Sequence, residues 1–217
     1  GETTAIIGPT GSGKTTLVNL ILRFYDVSEG AVHFDGVDVR EVKQKDLRGR
    51  IGYVPQKSIL MSGTIESNLK YGNETLSDAQ MHRVAETAQA ADFILEKEEG
   101  FQTPIAQGGT NVSGGQKQRL SIARALAIHP ELFIFDDSFS ALDFKTDAAL
   151  RRALKKDTGD STVIIVTQRV STVKDAEQII VLDQGRIVGS GTHKELLKDC
   201  EEYYEIASSQ LSKEELA

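Results

Sequence analysis

Short runs of apolar and β-branched residues recur along most of the chain, and stretches of helical periodicity separate several of them. The runs lie at 3–7, 31–34, 51–54, 132–135, 162–166, 178–182 and 186–188. Residues 132–135 and 163–166 are apolar throughout, which is typical of strands covered on both faces of a parallel sheet. The pattern predicts an α/β fold in which a mainly parallel sheet lies between layers of helices.

The strand pattern disappears between residues 57 and 112, where helical patterns replace it. Ser77 and Gln80 have the spacing of a capping box at the start of a helix. One apolar stripe follows, formed by Met81, Val84, Ala85 and Ala88. The stripe fits core packing, with a partner-binding face as the alternative. We predict that 57–112 is a helical subdomain inserted into an α/β core made of 1–56 and 113–217.

A glycine-rich loop follows the first apolar run. It fits the pattern G-x-x-x-x-G-K-[ST] and consists of Gly8, Pro9, Thr10, Gly11, Ser12, Gly13, Lys14 and Thr15. In this pattern backbone N–H groups surround phosphates, and the lysine pairs with the terminal ones. An amphipathic helix is predicted behind the loop from the spacing of Leu17, Leu20, Ile21 and Phe24. This order places the positive end of a helix dipole on an anion, so we predict a nucleotide site formed by the loop and Thr16.

A second apolar run carries a carboxylate to the same predicted edge of the sheet. Asp136 directly follows residues 132–135, and ligands of open parallel sheets bind at the carboxyl ends of the strands. Taken alone, an aspartate in this place is equally well explained by helix capping. Together with the phosphate loop, it predicts that Asp136 and the Thr15 hydroxyl hold Mg²⁺ on the β- and γ-phosphates.

The segment 111–121 has two compatible interpretations. Its sequence is Asn-Val-Ser-Gly-Gly-Gln-Lys-Gln-Arg-Leu-Ser, in which Ser113 and Gln116 predict a capping box. The helix that follows is expected to stop at Pro130. Gly114 and Gly115, directly after the cap, leave an open and dipole-positive helix end that a phosphate can approach.

Composition narrows the class of protein. The 217 residues, with 39% hydrophobic and 26% charged, fit one globular domain with room for an inserted subdomain. The formal charge of −7 argues against a general nucleic-acid or anionic-membrane surface. Cys200 is the single cysteine, which excludes an internal disulfide and favours a reducing compartment. No apolar run approaches the roughly 18 to 20 residues of a membrane span, so we expect a soluble segment.

The end of the chain is predicted from two local patterns. Thr192 and Glu195 have the spacing of another capping box. From Ser208 onward the sequence is polar, so we expect the end to fray.

Together these motifs resemble the nucleotide-binding domain of an ATP-binding cassette (ABC) transporter, a P-loop NTPase with a RecA-like sheet. The matching positions are the phosphate loop, Gln56 as the loop glutamine, Ser113, Gly114, Gly115 and Gln116 as the signature, Asp136 at the acidic strand end, and residues 140–143, with Asp143, as the dimer-interface loop. Segments 51–56 and 107–112 further resemble exporters, in which a transmembrane domain precedes this domain on the same polypeptide.

The resemblance implies a head-to-tail dimer with two ATP molecules buried between the subunits. Each ATP would contact the phosphate loop of one chain, while Ser113 and the two glycines of the other chain donate to its γ-phosphate. Gln56 would coordinate Mg²⁺ and report the nucleotide state to the helical insert, which docks on the membrane portion. The expected location is the cytoplasmic face of the cell membrane.

Two residues depart from the family pattern of strong hydrolysis. In that pattern Glu directly follows the Mg²⁺ aspartate as the water-activating carboxylate, and His in the switch loop is the γ-phosphate sensor. This chain has Asp137 and Gln168 at these two catalytic positions. Asp is one methylene shorter than Glu, and a misplacement of about 1 Å in a catalytic group can cost on the order of 10²-fold in rate. Gln hydrogen-bonds a phosphate oxygen but carries no titratable or cationic group. A compensating geometry that restores full activity is the alternative.

These departures resemble the degenerate-site subunit of a heterodimeric bacterial exporter. Such a subunit binds ATP at its own slow site and completes the fast site of a partner subunit that carries Glu and His. A non-catalytic ATP-binding clamp with a regulatory role is the alternative. A chromosome-maintenance or DNA-repair ATPase is a third interpretation, disfavoured because no sustained heptad run is present.

The start of the chain also differs from the family pattern. Gly1 lies almost at a strand that should be central in its sheet, which predicts a fragment of a longer polypeptide that lacks the N-terminal β segment. The aromatic residue that stacks on adenine in the family lies upstream of the phosphate loop. Stacking of this kind contributes about 1 to 3 kcal/mol, so we expect weaker nucleotide binding by this chain.

Overall fold

The computed structural model describes residues 1–216 and contains a mixed sheet with surrounding helices. Its strands are β1 (Thr3–Ile7), β2 (His33–Phe34), β3 (Val37–Asp38), β4 (Ile51–Val54), β5 (Gly63–Thr64), β6 (Pro104–Ile105), β7 (Leu132–Asp136), β8 (Thr162–Thr167), β9 (Gln178–Asp183) and β10 (Arg186–Gly191). Its helices are α1 (Lys14–Ile21), α2 (Gln44–Gly49), α3 (Ile65–Leu69), α4 (Asp78–Thr87), α5 (Ala91–Leu95), α6 (Gly114–Ala127), α7 (Phe144–Asp157), α8 (Val170–Val173), α9 (His193–Asp199) and α10 (Glu201–Ser208). Two compact units are formed, one by residues 1–51, 131–137 and 161 onward, the other by 52–130 and 138–160.

The main sheet has six strands in the order β10-β9-β1-β8-β7-β4. Strand β1 pairs in parallel with β8 and β9, and β7 pairs in parallel with β8. Strand β10 runs antiparallel to its neighbour, β9. Ile134 and Phe135 point to opposite faces of the sheet, and both are fully buried. The predicted α/β fold with a mainly parallel, doubly covered sheet is therefore confirmed.

The first helix differs in detail from the prediction. It ends at Ile21, so Phe24 lies beyond it, 48% exposed, with the Arg48 guanidinium 4.9 Å from its ring centroid. The buried residues are Val18 and Leu22 rather than the predicted stripe. Apolar spacing predicts a helical period, whereas the side that faces the core depends on how the preceding loop enters the helix.

The C-terminal region of the first unit packs more closely than its polar sequence predicts. Thr192 and Glu195 form the predicted capping box of α9. Beyond α10, Leu211 and Leu216 pack against a buried cluster that contains Tyr203. The expectation of a frayed end is therefore wrong as far as residue 216, because apolar residues between the polar ones reach the core.

The second unit contains the predicted helical segment. Ser77 and Gln80 form a capping box at the start of α4. The four residues of its apolar stripe are buried, which confirms core packing. Strands β5 and β6 pair with each other, so the expectation of a segment without strands is wrong there. Strands of two residues are too short to give a period-2 pattern.

This second unit is wider than the predicted insert. Helix α6 packs against α3 and α4, which brings residues 113–130 into the same compact unit. The boundaries of a helical subdomain at 57 and 112 stay a prediction. Within residues 1–216, no helix has the length and apolar character that a membrane span needs.

Candidate nucleotide site

The predicted phosphate-binding residues form one turn between β1 and α1. Gly11 and Gly13 have φ of 83° and 100°, the left-handed region that favours glycine. Because α1 begins at Lys14, its N-terminal N–H groups and the positive end of its dipole adjoin the loop. This arrangement provides the local geometry of an anion site.

The turn between β9 and β10 supports this loop. The Gly185 N–H donates to the carbonyl oxygen of Ser12 over 3.0 Å. A Cβ on Gly8 would lie 2.0 Å from the carbonyl oxygen of Leu182, so two backbones approach closely at this glycine. Sequence reasoning missed this support, for which Gly185 in a turn between two apolar runs was the only signal.

Lys14 is held inside the loop. Its Nζ donates to the carbonyl oxygens of Gly8 and Pro9, each over 2.8 Å. Burial lowers the pKa of Lys14 below 10.5, while the carboxylates of Asp137 and Asp136 oppose that shift. Both acidic side chains therefore act electrostatically on the lysine of the phosphate loop.

Thr15 and Asp136 are neighbours, as predicted. The Thr15 hydroxyl donates to Oδ1 of Asp136 over 3.3 Å. Asp136 is only 2% exposed at the end of β7. These hard oxygen ligands fit Mg²⁺, which commonly takes one or two protein oxygens beside phosphates and water. Among the described residues there is no group of three or more His, Cys, Asp or Glu side chains that could hold a metal ion.

Asp137 directly follows β7 in a left-handed conformation with φ of 46°. Its backbone N–H donates to the carbonyl oxygen of Val166 in β8 over 2.7 Å. The residue is partly buried. Its position next to Asp136 is therefore fixed by pairing between the two strand ends.

Gln168 directly follows β8 and is exposed. Its Oε1 accepts from the Thr10 hydroxyl of the phosphate loop at 3.5 Å, the outer limit of a hydrogen bond. The structure thus brings the predicted residues Thr10, Lys14, Thr15, Asp136, Asp137 and Gln168 to one edge of the first unit.

The predicted signature lies in the second unit, at the start of α6. The Gln116 N–H donates to Ser113 Oγ over 3.2 Å, and the Ser113 N–H donates to Gln116 Oε1 over 3.0 Å. A Cβ on Gly114 would meet no atom within 4 Å, whereas one on Gly115 would lie 3.4 Å from the Ala141 carbonyl oxygen. The capping box is confirmed, and the fold of the chain leaves space at Gly114.

Gln56 and Asp143 also belong to the second unit. Gln56 is exposed, two residues beyond the end of β4. Asp143 caps α7, accepting from the Thr146 N–H over 3.0 Å and from its hydroxyl over 2.7 Å. These hydrogen bonds lower the pKa of the Asp143 carboxyl. Asp143 therefore has a structural role within its own chain beside any role at an interface.

A family model described as "ABC transporter" matches residues 1–140, more than half of the chain. The chain belongs to the ABC transporter family. The predicted resemblance to an ABC nucleotide-binding domain is thereby confirmed.

Relatives of this ABC domain are longer proteins. An uncharacterized ABC transporter ATP-binding protein of Mycobacterium tuberculosis is 52% identical over 97% of this chain, which covers 36% of that relative. The ATP-dependent lipid A-core flippase of Desulfotalea psychrophila is 43% identical over 91% of this chain and 35% of the relative. The structure of a bacterial Atm1-family ABC exporter with ATP bound matches with a TM-score of 0.94 and 39% identity, over 98% of this chain and 37% of the other. The ABC domain described here thus spans about a third of the length of these relatives.

The cofactors follow from the family and its ATP-bound structural relative. ABC domains bind ATP with Mg²⁺, and they are ATPases. Oxygen ligands at Thr15 and Asp136 agree with this pair of cofactors. The roles of individual residues in this ABC domain remain predictions.

Proposed function

We propose that this ABC domain is the motor of a heterodimeric exporter and holds ATP at a degenerate, weakly hydrolysing site. The observation that carries the proposal is the pair Asp137 and Gln168, which follow β7 and β8 beside the phosphate loop. The export part is supported by relatives described as a flippase and an exporter.

In this function, the phosphate loop binds the triphosphate through its backbone N–H groups and through Lys14. Thr15, Asp136 and Gln56 would hold Mg²⁺, which when bound neutralises charge on the phosphates. The Lys14 ammonium, which donates to the Gly8 and Pro9 carbonyls, exchanges those acceptors for phosphate oxygens.

Weak hydrolysis follows from the two substituted residues. The Asp137 carboxylate would orient the attacking water with one methylene less reach than glutamate, and about 1 Å of misplacement costs on the order of 10²-fold. Gln168 would hydrogen-bond the terminal phosphate without supplying a proton or a positive charge. ATP therefore stays bound long enough to hold a dimer closed.

The signature would serve a partner subunit. Gly114 has room for a group from outside the chain, since a Cβ there meets no atom within 4 Å. The open end of the 14-residue α6 would place Ser113, Gly114, Gly115 and Gln116 on the partner's ATP. We infer a partner carrying Glu and His at the equivalents of 137 and 168, with Asp143 at the shared interface.

The proposal also places the domain at the membrane. A transmembrane domain upstream on the same polypeptide would receive the motion, and the domain would lie at the cytoplasmic face. A membrane portion is supported by relatives about three times longer than this chain, described as an exporter and a flippase. No nucleic-acid partner is proposed.

The test is ATP turnover by the purified chain, first alone and then under single-turnover conditions. We expect MgATP to bind and steady-state turnover to stay at least about 100-fold below the 1 s⁻¹ that marks the slow end of typical enzymes. A single-turnover experiment should still yield ADP slowly.

Two outcomes would change the conclusion. Rapid steady-state turnover by the chain paired only with itself contradicts the degenerate site. Release of intact ATP in the single-turnover experiment instead favours the non-catalytic regulatory clamp.

A further inference from the structure

The side chain of Gln210 bonds the backbone on both sides of Arg169, in the loop that follows β8. Its Nε2 donates to the carbonyl oxygen of Gln168 over 2.7 Å. Its Oε1 accepts from the N–H of Val170 over 2.9 Å. One amide therefore uses a donor and an acceptor on the same short segment, 42 and 40 residues away in sequence.

Both ends of this contact are attached to one core. The Gln210 N–H donates to the carbonyl oxygen of Ala207 over 3.0 Å, which continues the end of α10. Ala207 and Val170 are fully buried members of the same hydrophobic cluster, together with Tyr203. The backbone of Gln210 is therefore attached to the buried cluster through Ala207, although Gln210 itself is exposed.

The segment that Gln210 holds carries the predicted γ-phosphate sensor. Gln168 is exposed, so side-chain packing constrains it little and its backbone determines where its amide lies. The contact from Thr10 to Gln168 is already at 3.5 Å, and a shift of the backbone by about 1 Å would break it. The geometry of the sensor thus depends on what fixes its carbonyl.

We propose that Gln210 is a positioning residue that keeps Gln168 directed at the phosphate loop. It acts through the backbone of 168–170 and does not touch nucleotide. The proposal rests on the proposed function only for the role of Gln168 toward ATP. It assigns the region after α10 a part in the nucleotide site.

The test compares a variant that removes both hydrogen bonds with one that removes only the bond to Gln168. Gln210→Leu loses both, and Gln210→Glu keeps an acceptor for the Val170 N–H but loses the donor to Gln168. Ser209→Ala is the matched control, because the Ser209 hydroxyl donates only to the nearby Ile206 carbonyl, over 2.7 Å. Amide hydrogen exchange at Val170 and single-turnover cleavage of MgATP are measured for each, the latter also in a Gln168→Ala background.

We expect Gln210→Leu to speed exchange at Val170 at least about tenfold while the amides of β8 stay unchanged. Cleavage should fall about fivefold in the natural background and less than about twofold beside Gln168→Ala, since a residue acting through Gln168 shows non-additive effects. Gln210→Glu should be intermediate, and Ser209→Ala should match the wild-type chain.

Equal losses in both backgrounds overturn the proposal, as does unchanged cleavage by Gln210→Leu. Faster exchange throughout β8 also overturns it, because Gln210 would then act on stability alone. If the wild-type chain leaves ATP intact, the proposed function fails by itself. The Kd for MgATP is then compared between the same variants in the natural and Gln168→Ala backgrounds. The proposal for Gln210 stands only if Gln210→Leu changes this Kd in the natural background and leaves it unchanged beside Gln168→Ala.

Discussion

The Asp137 N–H donates a 2.7 Å hydrogen bond to the carbonyl oxygen of Val166 and so joins the ends of β7 and β8. The same residue has a φ of 46°, a region that aspartate and asparagine tolerate better than most residues. The position that should carry a catalytic carboxylate is therefore constrained in its backbone. A residue substituted at 137 to restore activity must therefore tolerate this positive φ.

Replacing Asp137→Glu together with Gln168→His should raise single-turnover cleavage at this site by about 10²-fold. The longer carboxylate reaches further toward the water, and histidine adds a titratable group. The free energy of unfolding should fall by roughly 1 kcal/mol or less, because glutamate tolerates positive φ less well. Rapid-quench kinetics and thermal unfolding measure the two effects.

Asp137→Asn with Gln168→His is the matched control. It keeps a residue suited to the backbone but has no carboxylate, so it should give no gain. Equal rates for the two double variants would show that the reach of the carboxylate does not limit cleavage.

Asp136→Asn should remove the dependence of ATP binding on Mg²⁺ with little change in side-chain shape. The substitution neutralises the 2% exposed carboxylate that lies 3.3 Å from the Thr15 hydroxyl. Titrations with Mg²⁺ and with EDTA measure the difference in Kd. If Mg²⁺ changes the Kd for ATP as much in the variant as in the wild-type chain, the assignment of Thr15 and Asp136 as Mg²⁺ ligands is contradicted.

Gly8→Ala should destabilise the first unit by about 1 to 3 kcal/mol through overpacking. Its Cβ would lie 2.0 Å from the Leu182 carbonyl oxygen and 2.8 Å from Ser12 Oγ, so backbone must move. Urea unfolding measures the loss. An unchanged midpoint would mean that the close approach of β1 and β9 is readily relaxed.

Gly114→Ala should leave the stability of the chain almost unchanged but reduce ATP turnover. Its Cβ meets no atom within 4 Å, so the free energy of unfolding should change by less than about 1 kcal/mol. In the Asp137→Glu, Gln168→His background, turnover should nevertheless fall at least about tenfold, because the methyl group occupies space meant for the neighbouring subunit's phosphate. Turnover that survives the substitution would argue against a signature acting between subunits.

The pH dependence of stability should include a contribution from His193. Burial lowers its pKa below 6.5, Lys174 lowers it further, and Asp175 opposes the shift. Its Nδ1 lies 2.7 Å from the Tyr203 hydroxyl. In the unfolded chain His193 has the ordinary histidine pKa of 6.5, so it binds protons at a higher pH than in the folded chain. The free energy of unfolding therefore falls as pH decreases through 6.5.

His193→Gln should flatten this part of the profile, since glutamine does not titrate. Urea unfolding at about pH 7.5 and about pH 5.5 gives the comparison, and the difference between the two chains isolates His193 from the acidic groups. Identical slopes for both chains would contradict the assignment.

Much of the fold was predictable because its signals are local. Apolar runs gave the strands of the main sheet, and the capping boxes at Ser77, Ser113 and Thr192 are present. Each depends on side chains within a few residues of one another. The short strands β5 and β6 and the buried side of α1 were missed, because neither has a local pattern of its own.

By itself, the sequence determined the phosphate loop, the acidic strand end, the signature and the two departures at 137 and 168. Those features are fixed by residue type and spacing. Only the tertiary structure decided that Thr15 meets Asp136, that Gly8 packs against Leu182, and that Gln210 holds the backbone at Gln168. The physical reason is that such contacts join backbone and side-chain groups from distant parts of the chain, and strand order and packing alone bring them together.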